Sequence, residues 1–296
     1  MASALTQLSD ALAAAVEEAG KSVVRVEGRR RMAASGVLWR DDGIIVTANH
    51  VVKRDEGIGV GLPDGQKSQA SVVGRDPSTD LAVLRLDRAT GVAAKLGENP
   101  QVGHLALALG RPGHTVQATL GIVSALGTEA WRTPMGGQVD RYLQTDVVMY
   151  PGFSGGPLVD STGRVLGLNS SALVRGVSVA LPVATVSSVV DTLVAHGRVR
   201  RGYLGISTQP VRLPAATAEA LAQETGLLIV GVEPDSPADQ GGLVLGDAIV
   251  GVDGSRVRHH DDLLALLSGD RVGRKVPVRI LRGGQDQTIN LTIGER

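Results

Sequence analysis

Short apolar runs separated by turn residues constrain the fold of this chain most. Six such runs lie between residues 22 and 86, and the breakers among them, Asp-Asp-Gly at 41–43 and Pro-Asp-Gly at 63–65, have the chemistry of tight turns. Six further runs lie between about 102 and 181. Aromatic residues make up only 2% of the chain, so its cores must consist of Val, Leu, Ala and Ile. The pattern predicts a mainly β fold with two six-stranded barrels.

A glycine-rich segment, Tyr-Pro-Gly-Phe-Ser-Gly-Gly-Pro-Leu at 150–158, lies within the second set of runs. Glycine adopts positive φ angles that other residues resist, so this segment can turn sharply and leave the Ser154 hydroxyl exposed. Such a turn can aim the amides of Gly152 and Ser154, with Phe153 between them, at one point where a tetrahedral oxyanion would lie. Taken alone, the segment is more typical of a glycine-rich hairpin with a solvated serine.

Two upstream residues supply the groups that a nucleophilic serine requires. His50 ends a β-branched run, and Asp80 opens the apolar run at 81–86. Serine is a weak nucleophile unless an imidazole takes its proton, and that imidazole needs a buried carboxylate on its other nitrogen. Each residue alone is typical of ordinary structure. The chain order His50, Asp80, Ser154 is that of the chymotrypsin triad, which predicts an active site in the cleft between the two barrels.

Several sequence blocks, in order, resemble the HtrA/Deg family of serine proteases, in which a chymotrypsin-like domain precedes one PDZ domain. The blocks are Thr-Ala-Asn-His-Val-Val at 47–52, Asp-Leu-Ala-Val-Leu at 80–84, Leu-Gly-Ile-Val-Ser-Ala at 120–125, Leu-Gln-Thr-Asp at 143–146, Gly-Phe-Ser-Gly-Gly-Pro-Leu-Val at 152–159 and Arg-Gly-Tyr-Leu-Gly-Ile at 201–206. The resemblance covers nearly the whole chain. It implies a helical segment at 1–20, a protease domain at 21–198 and a small α+β PDZ domain at 199–296.

The resemblance also implies a peptide-binding groove in the second domain. The amides expected to capture a terminal carboxylate belong to Tyr203, Leu204, Gly205 and Ile206. A peptide would then add as a strand between residues 204–208 and a helix predicted at 261–267, which carries Leu263 and Leu264. The alternative is a groove that stays filled by the protein's own loops.

The residues around the serine predict the substrate preference. Trypsin-type specificity needs a carboxylate six residues before Ser154, but this position is Val148, and the apolar Met149 follows it. The opposite wall of the pocket is predicted to consist of Leu168, Asn169 and Ser170. A Lys or Arg side chain of the substrate would be unpaired in such a pocket, at a substantial cost. We therefore expect cleavage after small or medium aliphatic residues, which agrees with the family preference.

Two positions depart from the family pattern, because Tyr150 and Phe153 each replace an Asn. The loop amides do not depend on these side chains, so an oxyanion hole remains feasible. We expect an aromatic residue at 153 to change how easily the loop switches between active and inactive shapes. The resemblance further implies regulatory loops at 111–118 and 126–140.

Charge and residue content exclude several classes of function. A formal net charge of +0 gives no case for binding nucleic acid or an anionic membrane, and the lack of cysteine excludes thiolate metal sites. The histidines other than His50 show no spacing with carboxylates that indicates a metal site, so we expect no metal and no cofactor. No apolar run is long enough to span a membrane, and residues 1–20 lack the features of a secretory signal. The sequence as written predicts a cytoplasmic protein, or an extracytoplasmic one whose N-terminal anchor has been removed.

Together these features predict an ATP-independent serine endopeptidase of protein quality control that cleaves unfolded or damaged polypeptides. Its partners would be unfolded protein or peptide substrates and peptide C-termini, and the resemblance implies a homotrimer. One alternative is a proteolytically silent PDZ scaffold or chaperone-like holdase, which the intact triad disfavours. A weaker alternative is a bacterial esterase-like hydrolase, which the triad order and the PDZ domain disfavour.

Overall fold

The computed structural model describes residues 3–127, 131–132, 138–139, 142–174, 176–199, 202–267 and 271–295. The chain divides into two compact units, Met1–Val199 and Arg200–Arg296. Among the described residues, the first unit contains two closed β-barrels, a two-stranded sheet and two α-helices, and the second contains a six-stranded sheet, a two-stranded sheet and three short α-helices.

The first barrel is built from the first six strands of the chain. They are β1 (Val23–Glu27), β2 (Ala34–Leu38), β3 (Ile44–Ala48), β4 (Ile58–Gly61), β5 (Lys67–Asp76) and β6 (Leu81–Leu86). The barrel closes in the order β1-β2-β3-β6-β5-β4 through antiparallel pairs. Its interior is filled by aliphatic side chains such as Val24, Ile45 and Leu84, which are completely buried. Burial of these β-branched and aliphatic side chains stabilises the barrel.

The second barrel follows directly. Its region contains β7 (Leu105–Gly110), β8 (Gln117–Gly127), β9 (Trp131–Arg132), β10 (Gln138–Val139), β11 (Tyr142–Thr145), β12 (Pro157–Val159), β13 (Val165–Ser170) and β14 (Ser178–Pro182). β9 and β10 pair with each other, and the other six close in the order β11-β14-β13-β12-β7-β8. The small side chains of Ala106 and Ala108 share the core of this barrel with Phe153, which is completely buried.

Two helices pack against the barrels. α1 (Ala4–Gly20) begins at the N-cap Ser3, whose side chain accepts a hydrogen bond from the Thr6 amide, and α2 (Val183–His196) follows β14 directly. Their apolar faces join one hydrophobic cluster that contains side chains from both barrels, including Ala19, Leu109 and Leu193. This shared cluster fixes the two barrels against each other.

The second unit is built on a six-stranded antiparallel sheet, accompanied by a two-stranded sheet and short helices. Its elements are β15 (Gly202–Tyr203), β16 (Ile206–Arg212), α3 (Ala215–Leu221), β17 (Thr225–Val232), α4 (Pro237–Gly241), β18 (Ala248–Val252), β19 (Ser255–Arg256), α5 (His260–Leu266), β20 (Lys275–Arg282), β21 (Gln285–Thr292) and β22 (Gly294–Glu295). The sheet has the order β16-β17-β18-β20-β21, so β16 is one of its edges. β19 pairs with β18, and β15 pairs with β22.

The predicted fold class, a double six-stranded barrel followed by a small α+β unit, is confirmed. Residues 203–206 do not form one continuous strand, because Gly205 has a φ of 78° and interrupts the extended backbone between β15 and β16. Helix α3 ends at Leu221, where Ala222 takes a left-handed φ of 48°. Most of the predicted regulatory loop at 126–140, and Arg201 of the last family block, lie outside the described residues.

A buried ion pair stabilises the second unit. The side chain of Asp247 is 1% exposed, and it accepts hydrogen bonds at 2.7 Å from Arg282 Nε and Nη2. The Val244 amide donates to the same carboxylate at 2.9 Å. Burial alone raises the pKa of the Asp247 carboxyl, but the bonds from Arg282 and Val244 outweigh burial and hold the pKa below its usual value.

We predict that Asp247→Asn destabilises the intact chain by about 1–3 kcal/mol at pH 7, because Arg282 loses a charged partner. A carboxyl whose folded-state pKa is lowered contributes fully above its unfolded pKa of about 3.9 and loses its contribution as the pH falls through the folded value. The difference between wild type and variant should therefore shrink below about pH 4. Calorimetry across this pH range measures the stability difference between wild type and Asp247→Asn. A difference independent of pH would contradict a lowered pKa of Asp247.

Candidate active site

His50 and Asp80 form a hydrogen-bonded pair at one end of the first barrel. A 3-10 turn, Asn49–Val51, follows β3 and carries His50 out of the strand, and Asp80 directly precedes β6. β3 and β6 are paired, with Ala48 opposite Leu81, so the register of the barrel brings the two residues together. His50 Nδ1 donates to Asp80 Oδ2 at 2.8 Å, and the His50 amide donates to Oδ1 at 2.8 Å.

The Asp80 carboxylate is buried and accepts a third hydrogen bond. Asp80 is 4% exposed, and Ser170 Oγ donates to its Oδ2 at 2.5 Å. A carboxylate only accepts, so His50 Nδ1 carries the proton and a neutral ring leaves the lone pair on Nε2. This is the tautomer that a general base requires.

A small polar network sets the unusual backbone of Asp80. Its φ is 57°, in the left-handed region that a non-glycine residue seldom adopts. In the turn before it, the buried Asp76 accepts hydrogen bonds from the amide and hydroxyl of Ser78 and from the hydroxyl of Thr79. These bonds fix the turn that presents the carboxylate to His50.

The loop that carries Ser154 is anchored in the core of the second barrel. Phe153 is completely buried among Ala106, Ala108 and other core residues. Gly110 makes room for it, since a Cβ at that position would lie 2.6 Å from Phe153 Cδ1. The aromatic residue that departs from the family pattern is therefore part of the core, and burial of its ring holds the loop in place.

Ser35 ties this loop to the first barrel and was missed from the sequence. Its hydroxyl donates to the Gly152 carbonyl at 2.7 Å, and its amide donates to the Ser154 carbonyl at 3.2 Å. The backbones approach so closely here that a Cβ at Gly155 would lie 2.2 Å from the Ser35 carbonyl oxygen. The sequence signal was a hydroxyl residue near the start of the apolar run that forms β2.

Two amides of the loop are available as donors. Phe153 N donates to the Tyr150 carbonyl at 3.0 Å, which closes a turn in which Gly152 has a φ of 93°. Within the described part of the chain, neither the Gly152 amide nor the Ser154 amide donates a hydrogen bond. These are the two amides predicted to form the oxyanion hole.

The Ser154 hydroxyl contacts Ser171 in the structure. Ser154 Oγ lies 2.9 Å from Ser171 Oγ and accepts a hydrogen bond from the Ser171 amide at 3.3 Å. Among the described residues these are its hydrogen-bond partners, and His50 is not one of them. The prediction of an exposed hydroxyl is wrong, since Ser154 is only 8% exposed and Ser171 lies against it.

The predicted pocket residues occupy different environments. Val148 is 55% exposed, and Met149 packs partly against the core of the second barrel. Leu168 is buried in the cluster shared by the two barrels, which is a core position and not an open pocket wall. Asn169 is also buried, and its Nδ2 donates to the Pro157 carbonyl at 2.8 Å. Ser170 is buried against Asp80.

The residues predicted to capture a peptide terminus lie next to the sheet edge of the second unit. The carbonyls of Leu204 and Gly205 accept hydrogen bonds from the amides of Ala238 and Glu233, each at 2.8 Å. Within the described residues the amides of Leu204 and Gly205 donate no hydrogen bond. Tyr203 pairs with β22, and its hydroxyl donates to the Glu233 carboxylate.

The strand and helix predicted to line the peptide groove are present as β16 and α5. Ile206 begins β16, the edge strand of the sheet. On α5, Leu263 packs in the core of the unit, whereas Leu264 is 45% exposed. His260 Nε2 donates to the Thr208 carbonyl at 3.0 Å and so links α5 to β16.

Comparisons with known proteins agree with both units. The trypsin-like peptidase domain family matches residues 34–168, and the PDZ domain family matches residues 202–293. The solved structure of a serine endoprotease from Yersinia pestis is 33% identical with a TM-score of 0.79, covering 96% of this chain and 98% of that one. The structure of the HtrA-type protease AlgW with a decapeptide is 30% identical, with the same TM-score and the same coverage.

The chain belongs to the HtrA family of serine proteases. The predicted family is thereby confirmed. A curated relative from Marinomonas sp. (strain MWYL1), named probable periplasmic serine endoprotease DegP-like, is 36% identical over 94% of this chain and 60% of its own length. This HtrA-family chain thus spans less than two thirds of the curated relatives that it matches.

The cytoplasmic interpretation of the sequence is wrong, because the curated relatives are named periplasmic enzymes. The interpretation relied on residues 1–20 lacking a secretory signal. In the structure α1 packs its buried Ala15 and Ala19 on the protease core, so this segment belongs to the folded domain and does not report the compartment. No helix in the described part of the chain is long and apolar enough to cross a membrane.

We predict that Ser171→Ala increases the rate at which a fluorophosphonate labels Ser154. The variant removes the hydroxyl that pairs with Ser154 Oγ, so the nucleophile becomes available to His50. Loss of one such bond corresponds to about a 2- to 12-fold faster reaction. Intact-protein mass spectrometry against time measures this rate.

Two variants serve as controls for the labelling experiment. Ser154→Ala should abolish labelling, and Ser161→Ala, an exposed hydroxyl in another turn, should leave the rate unchanged. Slower labelling of Ser171→Ala would contradict the prediction, because it would mean that the Ser171 hydroxyl assists the nucleophile.

Proposed function

We propose that this chain is a serine endopeptidase whose catalytic residues are His50, Asp80 and Ser154. The observation that carries the proposal is a pair of adjacent hydroxyl residues at the end of β13. Ser170 donates to the Asp80 carboxylate, and the next residue, Ser171, contacts Ser154 Oγ. Two consecutive residues thus hold the acid and the nucleophile close together, although they come from different barrels.

In the proposed reaction Ser154 Oγ attacks the carbonyl carbon of the scissile peptide bond while His50 Nε2 takes its proton. The amides of Gly152 and Ser154, flanking Phe153, donate to the negative oxygen of the tetrahedral intermediate. Asp80 stabilises the imidazolium, which then protonates the leaving amine. A water molecule, deprotonated by His50, releases the acyl group and restores Ser154.

In the resting site, the contact with Ser171 restrains the hydroxyl of Ser154, the proposed nucleophile. A substrate carbonyl must approach Ser154 Oγ, so substrate binding has to displace the Ser171 hydroxyl. Breaking a hydrogen bond of this type costs about 0.5–1.5 kcal/mol, which substrate contacts can supply. If the contact between Ser154 and Ser171 is never broken, the serine cannot react. The contact then favours the alternative function, a proteolytically silent PDZ scaffold or holdase.

The proposed substrates are unfolded or damaged polypeptides, cut after small or medium aliphatic residues without ATP. The exposed Val148 and the neighbouring Met149 support an apolar pocket without a carboxylate at its base. AlgW, a structural relative, was solved with a decapeptide, which supports peptides as ligands of this chain. The names of the curated relatives support action outside the cytoplasm.

The proposed role of residues 199–296 is to bind peptide C-termini. The unused amides of Leu204 and Gly205 support capture of a carboxylate, and the edge strand β16 supports addition of a peptide strand. The homotrimer stays a prediction. The strongly exposed Leu5 and Leu8 on α1 are compatible with a contact between copies.

We expect the wild type to cleave casein after Val, Ala or Leu, and Ser154→Ala to lose this activity entirely. The variant removes the nucleophile and leaves the fold intact. Mass spectrometry of the products identifies the cut sites. Cleavage after Lys or Arg would refute the apolar pocket and leave the nucleophile in place. No cleavage, even with C-terminal peptides added, would favour the silent scaffold.

We also predict that a peptide with an apolar C-terminal residue binds the chain and that the same peptide with an amidated terminus does not. Leu264→Glu should weaken binding by about 1.5–3 kcal/mol, the value of one buried aliphatic side chain. Leu245→Glu provides a matched control, since Leu245 is 70% exposed and belongs to the segment between α4 and β18, which is not part of the predicted groove. Fluorescence anisotropy of a labelled peptide measures both, and equal binding of acid and amide would refute carboxylate capture.

A further inference from the structure

A cavity of about 100 Å³ opens on the outer face of the first barrel, above β4. Its walls come from β1, β5 and the segment that follows β7. The charged or titratable side chains among its lining residues are Arg25, Glu27, Lys67, Arg111 and His114. One water needs only about 10–15 Å³ of such space, so the cavity has room for a small polyatomic ligand.

Two glycines create the floor of this cavity. Across the sheet, Arg25 on β1 lies opposite Gly61 on β4, and Gly61 lies opposite Lys67 on β5. A Cβ at Gly61 would lie 3.3 Å from the Arg25 Cβ, and a Cβ at Gly59 would lie 2.9 Å from a carboxylate oxygen of Glu27. Any larger residue on this face of β4 would fill the space between the two cationic side chains.

The cavity has an excess of positive charge and an unused donor. Arg25, Lys67 and Arg111 face a single carboxylate among the lining residues, that of Glu27. Glu27 pairs with Arg25 Nη2 at 3.0 Å, but Arg25 Nε is buried and has no hydrogen-bond partner among the residues that the structure describes. Leaving a buried donor unsatisfied is unfavourable, and an acceptor oxygen in the cavity would satisfy it.

Arg111 is a buried cation held by carbonyl groups. It is 7% exposed, and its guanidinium donates to the carbonyls of Val23 at 2.7 Å, His114 at 2.8 Å and Gly20 at 2.9 Å. Burial lowers the pKa of this guanidinium, because no carboxylate among the described residues offsets its desolvation. A guanidinium has five N–H groups, so within the described part of the chain two of them donate to no protein group and remain for a ligand.

From these features we infer that the cavity is a binding site for a small tetrahedral oxyanion of the phosphate class. The anion would accept hydrogen bonds from Arg25 Nε and from the remaining N–H groups of Arg111, and the charge of Lys67 would neutralise it further. The phosphate class fits best, because its several oxygens can accept from donors on different walls at once.

The site is connected to the loop that carries the proposed nucleophile. The Arg111 amide donates to Ser35 Oγ at 2.7 Å, and Ser35 Oγ donates to the Gly152 carbonyl at 2.7 Å. Two consecutive hydrogen bonds therefore connect Arg111, through Ser35, to Gly152 at the proposed oxyanion hole. An anion that fixes Arg111 acts on the first residue of this connection. We extend the inference, on the basis of the proposed function, to a positive effect of the anion on peptide cleavage.

Isothermal titration of the intact chain with inorganic phosphate, in chloride buffer at constant ionic strength, tests the site. Wild type should bind one equivalent, and Arg25→Gln should bind about 10- to 100-fold more weakly, since it loses a charged donor. Arg85→Gln is the matched control, because Arg85 is an exposed cation on β6 outside the cavity and should keep wild-type affinity. If Arg25→Gln does not fold, the exposed Lys67→Gln replaces it.

Thermal unfolding gives a second readout that does not depend on activity. At about 100 times its Kd, a ligand that binds only the folded state raises the ratio of folded to unfolded protein about 100-fold. Phosphate also stabilises proteins non-specifically. Only the phosphate-induced stabilisation that is lost in Arg25→Gln and retained in Arg85→Gln therefore reports binding at this site. No binding to wild type, or equal binding to all variants, would overturn the site.

The effect on cleavage is measured separately with a peptide substrate. Phosphate should raise the cleavage rate of wild type and of Arg85→Gln, but not of Arg25→Gln. Binding without a change in rate would overturn the effector role and leave the binding site. If wild type binds phosphate but cleaves nothing under any condition, the proposed protease function fails and the site stands.

Discussion

The burial of Phe153 in the second barrel is the interaction on which the candidate active site depends. Loop residues with several glycines have many backbone conformations available, and fixing them has an entropic cost. Burial of a whole aromatic ring offsets this cost, and it does so one residue away from the proposed nucleophile. Phe153 N donates to the Tyr150 carbonyl, whereas the two flanking amides donate to no acceptor among the described residues.

The same anchoring explains why a residue that departs from the family pattern is compatible with the site. An Asn side chain at 153 would leave the core of this barrel unfilled, whereas Phe153 fills it opposite Gly110. The loop is also tied to the first barrel by Ser35, which bonds to residues on both sides of Phe153. Shape changes of this loop must therefore involve the packing of both barrels and not the loop alone.

Much of the fold could be predicted from the sequence, because the residue patterns that specify its strands and helices lie within short segments of the chain. Apolar runs separated by turn residues identified all twelve barrel strands, and the helical segment predicted at 1–20 coincides with α1. The local conformations at Gly205 and Ala222 were harder to predict. A residue with a left-handed φ ends a strand or helix without changing the apolar pattern of that segment. The compartment was predicted wrongly, since the segment read for targeting is a helix packed on the core.

The sequence by itself determined the candidate residues, since His50, Asp80 and Ser154 each stand in a recognisable block. Only the tertiary structure decided what surrounds them. From the sequence Ser170 was predicted only as part of a pocket wall, but Ser170 and Ser171 bond to partners 90 and 17 residues away. Such partners depend on the register of strands that are distant in the chain, and a pattern read along one segment contains no information about that register.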